Sequence, residues 1–170
     1  NNIEYTHSNY KSSTNCFDKA KTKKIITKNK ILTPKFIILK KKQLDKKKLL
    51  ELKKKFDKFI IKPSKSGSSF GIKIIKNKKD FKNLINNLKN FKEELLNHND
   101  IIVEEFISGI ELTVSTIKFS KEIKALAVTE IKYKNKFFDY QAKYTKGFAK
   151  HILPANLSKK NYNHCLNLSI

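Results

Sequence analysis

The chain contains no arginine, although lysine alone carries its formal net charge to +23 over 170 residues. Arginine supplies most base contacts and the bidentate forks that grip phosphate, so its absence speaks against nucleic acid as a partner. The lysines are spread through every segment rather than gathered on one face. Lys, Asn and Ile are inflated together, as AT-rich codons would produce, and the charge reads as drift tolerated on the surface. No apolar run approaches the roughly 20 residues that span a bilayer, so no membrane association is expected. Methionine is absent, and Asn1-Asn2-Ile3-Glu4 has neither the basic nor the apolar region of a signal peptide. An internal piece of a longer cytoplasmic protein is expected. The two cysteines, Cys16 and Cys165, are far apart and form no C-x-x-C, which predicts buried thiols in a reducing compartment. His7, His98, His151 and His164 are isolated, and none is expected to hold a metal.

What is present centres on one stretch. Phe59-Ile60-Ile61 is an apolar run of the kind that makes a buried strand, expected to end on Lys62 because Pro63 cannot donate to a ladder. Residues 63–71 then hold two glycines and four serines, and a second strand is expected over Ile72 to Ile75. Such a hairpin tip exposes backbone N–H groups and hydroxyls, so it can fold over an anion with Lys62 as a point charge beneath. It also fits an ordinary turn, since Gly and Ser dominate turns. No Gly-Lys-Ser/Thr follows and no helix begins after Gly71, so it is not a Walker A loop.

Along the chain, residues 5–15 read as a polar connecting loop, with a helix from about Cys16 to Asn29 capped by Thr14 or Asn15. Phe36 to Leu39 predicts a strand, Leu44 to Phe56 a Lys-rich amphipathic helix, and Asp80 to Phe91 a second one. Ile101-Ile102-Val103 is an apolar strand leading into Glu104-Glu105-Phe106-Ile107-Ser108-Gly109. Glu111 to Phe119 and Ile123 to Tyr133 predict long antiparallel strands with a turn near Ser120-Lys121. Phe137 to Pro154 reads as irregular and aromatic, and a helix capped by Ser158 runs from about Leu157. The order of elements predicts an α+β fold.

Several short segments, in order, resemble D-alanine–D-alanine ligases of the ATP-grasp superfamily. They are Tyr5-Thr6-x-Ser8, Asp18-Lys19, Ile61-Lys62-Pro63-Ser64, Gly67-Ser68-Ser69-x-Gly71, Val103-Glu104-Glu105-Phe106-Ile107-x-Gly109, Glu111-x-Thr113-Val114 and Asp139-Tyr140-x-Ala142-Lys143-Tyr144. The last belongs to this ligase group rather than to ATP-grasp enzymes at large. The resemblance implies a linker over residues 1–14, an ATP-grasp central subdomain over 15–100, and the start of a C-terminal subdomain over 101–170. It implies an ATP-driven ligation of two D-alanines through an acyl phosphate, for peptidoglycan.

Carried over by position, Lys19 and Lys62 would contact ATP phosphates and the Gly67 to Gly71 loop, with Ser68 and Ser69, would close over them. Glu104 would accept from the adenine amino group, and the backbone of Glu105 and Ile107 would read the adenine edge. Glu111 would hold the ribose hydroxyls, Lys143 would sit near the nucleotide, and Tyr144 would link the irregular loop to Ser68. The resemblance implies that Mg²⁺ ligands and a transition-state Arg lie beyond Ile170, and that the whole protein could be a homodimer. This piece alone is then expected to be inactive. Many members carry Tyr where Phe138 stands and Glu where Gln141 stands, so a hydroxyl and a charge are missing. Two other readings stay open: a related ligase with an acceptor such as D-lactate, and a non-enzymatic basic module that binds nucleic acid.

Overall fold

The computed structural model describes every residue except Asn1, Asn2, Glu4, Leu96, Asn97, Lys121 and Lys136. The chain forms two units, Asn1–Ile107 and Ser108–Ile170.

In the first unit, β1 (Phe36–Lys40), β2 (Phe59–Pro63), β3 (Lys73–Ile75) and β4 (Asp100–Glu105) make one sheet in the order β1-β4-β2-β3, every pair antiparallel. Antiparallel register puts alternate residues on opposite faces. Leu39, Phe59, Ile61, Ile75, Ile101 and Val103 therefore share one face and are all buried. They pack with Leu49 and Leu52 of α3 (Lys46–Lys55), Leu84 of α4 (Lys78–Asn86) and Phe91 of α5 (Leu88–Glu94). Burying each such side chain is worth about 1.5–3 kcal/mol, so this face holds the unit together. The other face carries Phe36, Ile38, Ile60, Ile74 and Ile102, together with Lys62 and Glu104. That is the face from which the site is built.

Three expectations change here. The helix expected from Cys16 is two helices, α1 (Tyr10–Phe17) and α2 (Lys19–Lys28). Asn9, read as part of a loop, caps the first through Ser12 N–H at 2.9 Å. Asp18 interrupts them because its extended backbone pairs with Lys65 while its side chain caps the second. Pro63 does not stop β2. It sits opposite Ile101, the ladder resuming at Ser64 N–H to Asp100 C=O (2.9 Å), and β3 ends its pairing at Ile61. Proline's missing donor therefore faces a side with no partner strand. The helix expected over Asp80 to Phe91 breaks at Asn87, whose amide donates to the Asn83 carbonyl at 3.0 Å, a local bond that competes with helix continuation. In the sheet, β4 pairs with both β1 and β2, and it lies in the first unit.

In the second unit β5 (Glu111–Phe119), β6 (Glu122–Tyr133) and β7 (Ala149–Ile152) form an antiparallel sheet with a bulge between Ser115 and Thr116. Ser120, at the expected turn, has φ 58°, and its neighbour Lys121 lies outside the described residues. The stretch expected to be irregular contains α6 (Tyr140–Tyr144) as well as β7. Asp139 nucleates α6, accepting from Ala142 N–H at 2.8 Å. Against β6, α7 (Lys159–Leu168) is fixed by Val128 N–H donating to the Tyr162 hydroxyl at 3.1 Å. Neither cysteine is a buried thiol: Cys16 is exposed and Cys165 half-buried, since neither α1 nor α7, which carry them, buries a residue. No helix among the described residues is long and apolar enough to cross a membrane.

Candidate functional site

In the first unit, strand parity brings Lys62 and Glu104 together. Lys62 lies opposite Ile102 and Glu104 opposite Ile60, so the two are diagonal neighbours on the same face. Lys62 Nζ donates to Glu104 Oε1. Lys23, on α2, places its Nζ 2.7 Å from Oε2. Each carboxylate oxygen of Glu104 thus faces one ammonium, and Oε2 is fully buried. Burial on its own raises the Glu104 pKa, but the Lys62 charge and the contacts with both lysines outweigh it. The carboxyl is therefore held below its ordinary value, and Glu104 is an anion.

A second cluster fixes Lys19. Asp18 Oδ1 accepts from Ala20 N–H (3.1 Å), Lys21 N–H (3.3 Å) and the Ser64 hydroxyl (2.5 Å). Ser64 also receives Ala20 N–H on Oγ at 3.1 Å and Lys19 N–H on its carbonyl at 2.9 Å. The start of α2 is thus fastened to the strand end from which the Ser/Gly loop departs. Lys19 Nζ donates to the Ser66 carbonyl in that loop. Buried at Asp18, the carboxyl would rise, but the Ser64 hydroxyl, two backbone amides and the Lys65 charge bring it below its ordinary value.

The loop backbone is unusual. Ser68 and Ser69 have φ of 49° and 63°, a region that L side chains seldom enter, and Gly71 has φ 66°. A Cβ on Gly71 would lie 2.9 Å from Pro63 Cγ, so only glycine closes this loop. Gly67 is open, with nothing within 4 Å of its Cβ direction. Glu105 lies on the opposite face of β4 from Glu104, and its N–H is committed to the Lys35 carbonyl at 2.9 Å. Any reading of a base there falls to its carbonyl oxygen. Ile107 is exposed beyond the end of the strand.

In the second unit Glu111 opens β5 and bonds the Tyr133 phenol, whose pKa is raised by burial and then by this carboxylate. Lys143 Nζ sits 5.3 Å from the centre of the Phe138 ring, itself stacked on Tyr133 at 5.8 Å. Phe138 therefore fills an aromatic stack without a hydroxyl. Tyr140 and Tyr144 face one another at 4.7 Å and stay exposed.

The matching family model is the D-Ala-D-Ala ligase C-terminus, over residues 25–170. The chain belongs to the D-alanine–D-alanine ligase family. It is 41% identical over 162 residues to the D-alanine–D-alanine ligase of Pelagibacter ubique, covering 94% of this chain and 49% of that protein. Among solved structures, the D-alanine–D-alanine ligase of Bacillus anthracis complexed with ATP matches with TM-score 0.65 at 29% identity, over 98% of this chain and 50% of that one. The VanG D-Ala:D-Ser ligase of Enterococcus faecalis matches with TM-score 0.69 at 27% identity, over 93% and 44%. The fold is that of ATP-grasp ligases, and the chain spans about half the length of the relatives it matches.

Sequence reasoning gave no role to Lys23, Asp18 or Ser64. Lys23 stands one helical turn after Lys19 on α2, and that spacing was the available signal. Its burial at 7% exposure was not readable among 38 basic residues. Among the described residues no group of three or more His, Cys, Asp or Glu could hold a metal.

Proposed function

We propose that the protein carrying this chain is a cytoplasmic, ATP-dependent ligase that joins two D-alanines, and that this chain supplies its nucleotide clamp. The observation that carries the reading is the buried Lys62–Glu104–Lys23 arrangement on an otherwise apolar sheet face. An adenine ring fits beside such a face: the half-buried Ile60 and Ile74 offer apolar contact, and Glu104 Oε1, once Lys62 turns to a phosphate, suits an exocyclic amino group.

In the reaction, one D-alanine carboxylate attacks the γ-phosphorus and ADP leaves, giving an acyl phosphate. The amine of the second D-alanine then attacks the acyl carbon, phosphate departs, and the amide forms as the amine loses a proton. Charge on the transferring phosphoryl group must be met by fixed cations. Lys62 does this by exchanging Glu104 for a phosphate oxygen, and Lys19 by exchanging the Ser66 carbonyl. The turn at Ser68 and Ser69, both in the left-handed region, is of a kind whose backbone N–H groups can bind an anion. The loop they form shields the acyl phosphate from water. In the second unit, Glu111 takes the ribose hydroxyls and Lys143 the nucleotide, with Tyr144 on the same short helix. The Glu105 carbonyl and the Ile107 backbone read the adenine edge.

The test is product analysis on the full-length protein with ATP and D-alanine, with D-serine and D-lactate as competing acceptors. Equimolar ADP, phosphate and D-alanyl-D-alanine are expected. ADP release that does not depend on D-alanine refutes the reading, and a mixed ester or D-Ala-D-Ser product reassigns the acceptor.

A further inference from the structure

Lys23 and Lys62 share Glu104 but are held in different ways. Lys62 has a side chain 19% exposed and spans from β2 to Glu104 alone among its described contacts. Lys23 has a side chain 9% exposed and three further anchors: the Thr33 hydroxyl at 2.6 Å, the Pro34 carbonyl at 3.2 Å and the Phe36 ring at 5.3 Å. An arriving phosphate can therefore draw Lys62 away, while Lys23 has nowhere to go. Once Lys62 leaves, Glu104 is a buried carboxylate with one counter-ion. A buried carboxylate with none takes up a proton. A carboxylate accepts from an amino group, whereas a protonated carboxyl can donate to a carbonyl oxygen.

We infer that Lys23 is a positioning residue for base selection, the permanent counter-ion that keeps Glu104 an acceptor while Lys62 serves the phosphates. This rests on the nucleotide reading of the same face. Adenine presents an amino group to Glu104. Hypoxanthine presents an oxygen at the same position, which the anion repels. The preference for adenine thus depends on Glu104 staying charged, and Lys23 sets that charge without touching the base.

The experiment is calorimetric titration of the full-length protein with ADP and, separately, IDP. The variants are Lys23→Gln, which keeps amide donors for Thr33 and Pro34 but removes the charge, Glu104→Gln, and the double variant. The unaltered protein should prefer ADP. In Lys23→Gln that preference should fall by roughly 10-fold, the worth of one hydrogen bond to a charged group, with IDP affinity held or improved. In the Glu104→Gln background, Lys23→Gln should change the preference by less than about 2-fold, because the two residues act as one unit. Equal weakening of ADP and IDP by Lys23→Gln, or an equal effect in both backgrounds, assigns Lys23 to bracing the Thr33–Pro34 segment and overturns the proposal. Should Lys23→Gln fail to fold, the double variant decides alone. A preference matching Glu104→Gln supports the coupling, and a further loss refutes it. If the unaltered protein binds neither nucleotide, the nucleotide reading itself has failed, a result distinct from a change seen only in the variants.

Discussion

Replacing Asp18 with alanine should loosen the clamp at its root. Asp18 caps α2 through two amides and also accepts the Ser64 hydroxyl, and both residues are buried, at 7% and 2% exposure. Loss of the cap costs about 1 kcal/mol. The Ser64 hydroxyl is left without its acceptor, which costs about 1–3 kcal/mol more. The total of roughly 2–4 kcal/mol should lower the urea midpoint by about 1–2 M at the slopes usual for small domains. Asp18→Asn keeps an acceptor oxygen for the amides and should cost roughly 1 kcal/mol. Ser64→Ala removes the donor, and combined with Asp18→Ala it should cost at least about 1 kcal/mol less than the sum of the single changes. The assay is urea unfolding of the set, read beside ADP affinity, which should fall as Lys19 loses its seat against the loop. A midpoint shift below about 0.3 M for Asp18→Ala, or strict additivity in the double variant, refutes the reasoning.

Gly71→Ala should destabilise by roughly 2 kcal/mol or more, since the new Cβ meets Pro63 Cγ at 2.9 Å and the φ of 66° disfavours any L side chain; an unchanged melting temperature would contradict this. Acid sensitivity has a defined sign. Glu104 and Asp18 have folded-state pKa values below their ordinary 4.5 and 3.8, so their stabilisation is complete above those values and is lost as pH falls through the lower folded ones. Glu104→Gln should therefore flatten the stability curve below about pH 4.5 and leave its neutral slope alone, as urea midpoints measured across pH would show. Lys143→Ala should lower kcat/KM for ATP by at least about 10-fold with little change in melting temperature, because its ammonium is placed over the Phe138 ring rather than in a core; a large stability loss with normal kinetics would argue for packing alone.

Hydrophobic spacing located the strands because each has one face in a core. Phe59, Ile61, Ile101 and Val103 announce β2 and β4 in the sequence and are buried in the fold. Polar local bonds were harder to read. Asp18 divides two helices through bonds that need Ser64 and Lys65 beside it, and Asn87 ends one through a local bond to the Asn83 carbonyl. Pro63 survives in a strand because of where β3 stops, a tertiary fact. Cys16 stays exposed because α1 buries nothing. At the site, family resemblance marked Lys62 and Glu104, and parity alone would have paired them once β2 and β4 were known to be adjacent. Lys23 and Ser64 were hidden by commonness: a lysine among 38 basic residues and a serine in a serine-rich stretch look like solvated surface.

The most direct test is titration of ADP into the full-length protein and its Lys62→Ala variant. Glu104 keeps Lys23 as counter-ion in that variant, so the fold should persist. ADP affinity should fall by roughly 100-fold, as expected for a lost charge-assisted contact to phosphate. Equal affinity in a folded Lys62→Ala protein would contradict the assignment of this sheet face to the nucleotide.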